Sequence, residues 1–374
     1  MTASYRLHIL TPAGVLQHIL AVNPSSSDPT KGGFLELAYT NLVNAPGDLA
    51  FTLDGAHVVL PDLINRAQIE VWRRDTENGI DWYRDWSGLF LDEDRWLEEG
   101  LSLYKASCKG DQIWLHDREV FYDADTANRT AFVAVPAETI MKTLVTYNCT
   151  ASAASPPRDV DGTITGFSVQ LPDNGLGNPL NWKCARDNLL GTLQKLADVA
   201  GGDFDVIKTG AATWEFRWYI GQRGINRTAT VIFSLDRGNM GDPHYSIARS
   251  GRVTSVVVGG LGVGADRLIS ARTGNGYAAS NNIEAFYDGN SQNPTAAGLN
   301  ALGDQLLYKM RDQQQFSFKV LQTPACLYGR DYFLGDLVTA KFLTVTTTPK
   351  IISVGISVKA GDKDNVDIGL SYVG

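Results

Sequence analysis

Residues 82–115, which read WYRDWSGLFLDEDRWLEEGLSLYKASCKGDQIWL, decide the fold class. Apolar and polar residues alternate in short runs here, and glycines and acidic clusters interrupt them. Such runs are typical of β-strands, so the stretch predicts strands over 82–91, 95–99, 101–108 and 112–115. Turn residues recur about every 8–12 positions, a spacing that favours a barrel or a sandwich.

The sequence on either side extends this pattern and adds three helices. Further strands are predicted over 47–55, 67–72, 253–258, 284–287, 316–321, 337–342, 350–358 and 366–370, with a hairpin over 204–220. Apolar spacing of three and four residues predicts one helix from Pro136, one over 185–200 and one after Pro294. We therefore predict a mainly β chain with α+β insertions, divided into regions 1–130, 131–250 and 251–374.

Composition excludes several classes of protein. The chain has 374 residues, of which 44% are apolar and 20% charged, so it can bury a core and is not disordered. It shows neither a membrane-spanning apolar run nor a secretory signal at its N-terminus. Its net charge of −8 argues against tight binding of nucleic acid phosphates.

The acidity is concentrated in the first third, where residues 1–130 carry 11 basic and 20 acidic side chains. A dense group lies between residues 81 and 99; its members are Asp81, Asp85, Asp92, Glu93, Asp94, Glu98 and Glu99. The group is either a solvated face or a surface that repels phosphate or attracts a basic partner.

No catalytic, cofactor-binding or metal-binding residue is predicted. Cys108, Cys149, Cys184 and Cys326 lack the spacing of a zinc site or a disulfide framework. The phosphatase-like run 159–163 follows a loop-like segment, and the glycine run 260–265 lacks the helix that would bind a pyrophosphate. No nucleophile or zinc-protease motif occurs, although a glycosidase carboxylate pair would be invisible in sequence.

Tryptophan and other aromatic residues are dense in the first third, and two interpretations remain open. The residues are Trp72, Trp82, Tyr83, Trp86, Phe90, Trp96, Tyr104 and Trp114. Aromatic rings can stack on sugars, which would make a carbohydrate-binding face. Large aromatics also fill small β cores and protein interfaces, and this is the interpretation we favour.

The order of the segments resembles that of the baseplate hub proteins of tailed bacteriophages, and most closely the siphophage type. The first block runs through GDLAFTLDG, AQIEVWRRD, WYRDWSGLFLDEDRW and LSLYKASCKGDQIWLHDREVFYD, and the helix PAETIMKTLVTYN follows it. The last block contains RSGRVTSVVVGG, PTAAGLNALGDQLLYKMRDQ, LGDLVTAKF and KIISVGISVKAGDKDNVDIGL. The resemblance covers about residues 35–370, with Leu334 where the family usually has proline.

The resemblance implies two small β-barrels related by a pseudo-twofold, in regions 1–130 and 251–374, with an accessory mixed domain in 131–250. It implies a homotrimeric ring in the virion tail tip or baseplate, made in the host cytoplasm, that adapts a sixfold tube to a threefold tip. The tape-measure protein and then DNA would pass through its channel without specific binding. A distal tail or tube protein would lie above and fibre or spike proteins below, and the form would be minimal, without a C-terminal extension.

The resemblance carries over no catalytic residue or cofactor. Assembly residues are predicted at Trp72, Trp86 and Trp96 in the first barrel, and at Gly335 and Asp336 in the second. A lumen-facing acidic patch is predicted at Asp92, Glu93 and Asp94. The alternatives are a carbohydrate-binding or receptor-binding β protein of the tail tip, and a hydrolase with a hidden carboxylate pair.

Overall fold

A computed structural model gives the fold over residues 3–21, 32–121, 130–154, 160–184, 186–289, 296–359 and 364–371. The chain is mainly β, as predicted. In chain order the strands are β1 Ser4–Leu10, β2 Leu16–Ala21, β3 Glu36–Leu42, β4 Asp48–Asp54, β5 Gln68–Asp75, β6 Ile80–Glu98, β7 Leu101–Gly110, β8 Ala131–Pro136, β9 Phe167–Val169, β10 Pro179–Lys183, β11 Gly202–Gly210, β12 Thr213–Ile220, β13 Ile232–Ser234, β14 Met240–Ala248, β15 Ser255–Gly259, β16 Ile269–Thr273, β17 Glu284–Asp288, β18 Gln313–Val320, β19 Thr339–Phe342, β20 Val345–Thr347, β21 Lys350–Lys359 and β22 Asn365–Ser371. The helices are α1 Ile113–His116, α2 Ala137–Cys149, α3 Leu189–Ala200 and α4 Ala296–Lys309.

One nine-stranded sheet dominates the architecture, in the order β2-β1-β5-β6-β7-β4-β3-β21-β22. Its alternating apolar side chains face a core in which Leu7, Phe51, Leu53 and Ile69 are almost completely buried. The Tyr5 hydroxyl donates to Asp364, which immediately precedes β22, at 2.6 Å, so the sheet curls until its two ends approach. Within the described residues the ladder of strands stays open, and the two predicted barrels and their pseudo-twofold stay a prediction.

The closing hairpin belongs to this same sheet. β21 pairs with β3 from Ser353 opposite Leu42 to Lys359 opposite Glu36, and β22 pairs with β21. The sheet therefore takes strands from both ends of the chain. The boundaries at residues 130 and 250 stay a prediction as domain limits.

Two local predictions in the stretch that decides the fold are wrong. The separate strands over 82–91 and 95–99 form the single strand β6, because a bulge between Phe90 and Asp92 keeps it paired with β7. The predicted strand over 112–115 is the short helix α1, in which the His116 amide donates to the Gln112 carbonyl. Its alternating Ile113 and Leu115 are both buried in the core, so alternation alone could not separate strand from helix.

The middle of the chain forms a second core around α2 and α3. Both helices pack together, and α2 also packs against β9 and β12 of the three-stranded sheet β11-β12-β9. The side chain of Asn188 caps α3 by accepting from the Gly191 amide at 3.2 Å, and this cap starts the helix later than predicted. Gly201 ends it in the left-handed region, at φ +67°.

The described residues divide into two compact units: the first takes those up to Gly241 and those from Lys319 onward, and the second is Asp242–Phe318. Its sheet β16-β15-β17 packs through Val256 and Val258 against Leu299 and Leu307 of α4. The glycine run 260–265 is a loop that joins the antiparallel strands β15 and β16. Of the helices in the described parts of the chain, none is long and apolar enough to cross a bilayer.

Candidate functional site

A buried polar network in the first unit joins the large sheet to the segment before β19. Asp85 of β6 accepts hydrogen bonds from the hydroxyls of Tyr39 and Tyr328, each at 2.6 Å. The Asn41 amide donates to the Asp85 carbonyl at 2.9 Å. Tyr328 is 243 residues from Asp85 in sequence, so this carboxylate fixes a contact between distant parts of the chain.

Arg73 of β5 supplies the cation of the same network. Its guanidinium donates to the Tyr5 hydroxyl at 3.0 Å, to the Tyr328 carbonyl at 3.1 Å and to Asp364 at 3.3 Å. A longer bond of 3.4 Å reaches the Tyr83 hydroxyl. The Arg73 side chain is only 4% exposed, and its charge is balanced by Asp364 and Asp85. The partners satisfy one another, which suits a structural brace better than a catalytic centre.

A polar cavity of about 300 Å³ adjoins this network. Asp111 accepts from the Ser87 hydroxyl and from the Trp214 ring nitrogen. Asp205 accepts from the Gln112 amide and pairs with Arg223, both at 2.7 Å. Beside Asp85, the cavity is therefore lined by two further carboxyl groups that neutral donors and one guanidinium hold in place.

A second ion pair ties β11 to the large sheet beside the cavity. The Lys208 ammonium contacts Glu70 of β5 at 2.7 Å, and Arg84 contacts the same carboxylate at 3.2 Å. Burial is the largest single influence on the pKa of Glu70, and it raises that pKa. Together, these cations and the hydrogen bond from Trp72 outweigh burial, so the pKa of Glu70 is lowered. The pKa of Glu70 is thus shifted in favour of the anion, whereas the pKa values of Asp111 and Asp205 are shifted the other way.

Burial raises the pKa of Asp85, although hydrogen bonds from Tyr328 and Tyr39 and the charge of Arg73 oppose this effect. Burial likewise raises the pKa values of Asp111 and Asp205. A carboxyl group with a raised pKa binds its proton more tightly in the folded state. Its stabilising effect is complete below the ordinary pKa of about 3.9 and is lost as pH rises through the folded-state pKa.

We therefore expect the stability of the wild type relative to Asp85→Asn to be greatest in acid and to fall as pH rises. Urea midpoints measured from pH 4 to pH 8 test this. The exposed Asp94→Asn serves as the control and should show a much flatter difference. A difference that grows with pH would mean that the contacts with Tyr39, Tyr328 and Arg73 outweigh burial and lower the pKa of Asp85.

The predicted turn at Gly335 and Asp336 is present, and the side chain of Asp336 is buried. Gly335 has φ +88°, and a Cβ there would lie 2.3 Å from Cγ of Arg223. Asp336 accepts from the amides of Ile225 and Phe333 at 2.6 and 2.9 Å and from Nε of Arg227 at 2.7 Å. These contacts lie within the subunit, and a role in assembly stays a prediction for both residues.

The three tryptophans predicted at an interface have different surroundings. Trp86 is 3% exposed and packs so closely that a Cβ on Gly88 would lie 2.5 Å from its ring. Trp72 is half-buried and donates to Glu70 at 2.9 Å, and Trp96 donates to Glu98 at 3.2 Å. Trp72 and Trp96 are accessible enough to contact a neighbour, and their interface role stays a prediction.

Five of the seven acidic residues grouped between residues 81 and 99 lie on a projecting hairpin, which we call the arm, residues 91–103. Asp92, Glu93 and Asp94 are exposed on β6 at its base. Glu93 accepts from the Tyr104 hydroxyl at 2.8 Å and pairs with Arg95 at 3.2 Å. Leu97 and Leu101 near the tip are 76% and 62% exposed. An arm with acids at its base and leucines at its tip is suited to contacts outside its own subunit.

Sequence reasoning missed the Arg73–Asp85 network. Its members come from β1, β3, β5, β6 and the segments before β19 and β22, and no local pattern relates them. The one available signal was an acidic residue inside an aromatic strand, at Asp85 in WYRDWSG. Among the described residues, no three His, Cys, Asp or Glu side chains are grouped closely enough to hold a metal ion.

The family model of siphovirus ReqiPepy6 Gp37-like proteins matches residues 68–369. The chain belongs to this family. It is a tail or baseplate protein of a bacteriophage, as the order of its segments predicts. No curated protein matches the sequence.

Solved tail proteins share the fold over nearly the whole chain. The 43 kDa tail protein of prophage MuSo2 from Shewanella oneidensis is 12% identical, with a TM-score of 0.61 over 99% of this chain and 98% of its own. A tail protein from Neisseria meningitidis is also 12% identical, with a TM-score of 0.59 over 100% and 98%. Prophage tail protein gp18 from Listeria monocytogenes is 10% identical, with a TM-score of 0.54 over 99% and 95%. At these identities the likeness concerns the fold alone.

Proposed function

We propose that this tail protein is the hub subunit of a siphophage tail tip, and that three copies form a ring. The observation that carries the proposal is the agreement in fold with tail proteins over nearly the full length of both chains. The ring adapts the sixfold tail tube to a threefold tip. The tube protein lies above it, and fibres or a spike lie below.

The same proposal assigns the chain a channel for the tape-measure protein and for DNA, with no catalytic step. Its net charge of −8 supports passage without retention, because a surface that binds phosphates would hold the DNA. The mutually satisfied carboxyl groups of the Arg73–Asp85 network also support a structural role.

Electron microscopy of the purified protein, with class averages tested for symmetry, examines the proposal directly. Threefold rings with a central pore would support it. Particles that stay monomeric both alone and in the presence of the tube protein would contradict it. Mass photometry across a range of concentrations provides an independent count of subunits.

If the base of the arm faces the channel, replacing Asp92, Glu93 and Asp94 together with Lys should slow DNA ejection. The three positive charges would attract passing phosphates, and raising the salt concentration should restore the rate by screening them. Time courses of DNA release from virions that carry the variant measure the effect.

The matched control places Lys at three exposed acids outside the arm, Glu77, Asp173 and Asp198. Both variants change the net charge equally, so a slower ejection only in the arm variant assigns the effect to position. Equal ejection kinetics in the arm variant and the wild type would show that this patch does not line the channel.

The carbohydrate-binding alternative has weaker support in the structure. All eight tryptophans are buried or half-buried, and several are engaged within the chain. Trp72 stacks on His8, Trp114 meets Trp214 edge-on, and Trp82 lies under Arg6. A sugar platform needs an exposed ring face. Retention of a monomer on a column of host polysaccharide would favour this alternative.

A further inference from the structure

We propose that neighbouring subunits join by inserting the tip of the arm into a groove beside the β19–β20 hairpin of the next copy. The tip is residues 96–101. The groove, which we call the cradle, is lined in part by Leu235, Arg237, Lys341 and Leu343. This inference rests on the proposed ring and specifies the contact that would build it.

The tip is a free hairpin end with an apolar and acidic surface. Residues Leu97 and Glu98 pair only with Ser102 and Leu101, whereas the base of the arm continues into the pairing of β7 with β4. Glu99 and Gly100 form a tight turn, with φ values of +50° and +84°. Leu97 and Leu101 are largely exposed, and Glu98 and Glu99 lie beside them in solvent.

The cradle is an open groove of about 420 Å³ with an apolar and basic rim. Leu343 is 86% exposed at the turn of the β19–β20 hairpin, and Leu235 across the groove is 52% exposed. Arg237 and Lys341 are exposed, and in the part of the chain that the structure describes neither makes an ion pair. Asp236 is the one acid among the lining residues.

Leu343 gives an independent sign that the cradle has a function. It adopts φ +53°, a left-handed conformation that is strained for a leucine and that asparagine or glycine accepts more easily. The chain thus retains a strained leucine where the side chain is almost fully in water. A partner that covers this leucine would offset both costs.

The two surfaces complement each other in charge and in polarity. The tip presents two leucines with two carboxylates, and the cradle presents two leucines with two cations. Both belong to the same compact unit of one chain and both remain exposed there, so the tip that fills a cradle comes from a second copy. Such a contact is heterologous, since it joins two different surfaces of the same chain. Heterologous contacts close into a ring when the rotation from one copy to the next divides a full turn.

Disulfide trapping between two single variants tests the contact. Leu97→Cys and Leu343→Cys are prepared separately, and the mixture is oxidised mildly at a concentration at which the wild type assembles. The four native cysteines are buried, so the new thiols dominate the reaction. We expect covalent heterodimers to form at least tenfold faster than in a mixture of Leu97→Cys with Val133→Cys, whose site is as exposed as Leu97.

Charge exchange provides a second measurement. Lys341→Glu should slow the trapping, Glu99→Lys on the partner copy should restore it, and added salt should weaken the wild-type contact. Leu343→Asn should weaken assembly without lowering the urea midpoint, because asparagine accepts the left-handed conformation.

The outcomes separate this inference from the proposed function. Threefold rings whose trapping rate equals that of the Val133 control would overturn the inference and leave the hub proposal intact. Chains that form neither rings nor heterodimers, even in the presence of the tube protein, would overturn both. Rapid trapping with rescue by charge exchange would establish the contact.

Discussion

Replacing Arg73 with Met should lower the free energy of unfolding by about 3–5 kcal/mol, the usual cost of removing one partner from a buried ion pair. Met fills a similar volume but leaves Asp364, the Tyr328 carbonyl and the Tyr5 hydroxyl oxygen each without the hydrogen bond that Arg73 donates. It also removes the cation beside Asp85, whose pKa burial already raises. The two ends of the curled sheet would thereby lose a shared contact.

Urea unfolding followed by tryptophan fluorescence measures this loss in the first unit alone. All eight tryptophans lie between Trp72 and Trp218, outside the compact unit Asp242–Phe318. Arg95→Met is the matched control, because Arg95 is 60% exposed and pairs with Glu93 in solvent, so about 0–1 kcal/mol is expected. A loss of that small size at Arg73 would mean that water replaces its contacts.

Arg73→Lys distinguishes charge from geometry. A lysine keeps the cation but cannot donate in several fixed directions as the guanidinium does. We expect it to recover part of the lost stability, since Tyr5, Tyr328 and Asp364 lie on different sides of the group. Full recovery would assign the role of Arg73 to charge alone.

The sequence predicts the strands well where each strand is half buried and its alternation shows. β4, with Leu49, Phe51 and Leu53 inward, is such a case, and the hairpin β11–β12 is another. The first three strands were not predicted, although Leu7 and Ile9 of β1 are completely buried. α1 was mistaken for a strand, because four residues are too few to distinguish the two periods.

The site was harder to predict than the fold because its contacts span large sequence separations. The turn at Gly335 and Asp336 was found from its residue types, yet the partners of Asp336 at Ile225 and Arg227 are more than a hundred residues away. Local patterns report on neighbours along the chain, whereas buried polar networks depend on which strands meet. Asp85 with Tyr328 shows the same limit.

Replacing Asp336 with Ala should cost about 2–4 kcal/mol of unfolding free energy, because two amides in part-buried hydrogen bonds lose their acceptor at about 1–3 kcal/mol each and a guanidinium loses its counterion. The amides belong to Ile225 and Phe333, and the guanidinium of Arg227 is partly exposed and can regain water. The same fluorescence-detected urea titration measures the change.

Asp336→Asn separates the two contributions. One amide oxygen can still accept from Ile225 or Phe333, but the charge that faces Arg227 is gone, so an intermediate loss is expected. Asp367→Ala, at an exposed acid of β22, is the control and should stay within about 0.5 kcal/mol of the wild type. If Asp336→Ala is as stable as this control, the amides of Ile225 and Phe333 must find other acceptors. The turn would then be held by the backbone hydrogen bond from the Gly335 amide to the Ile351 carbonyl.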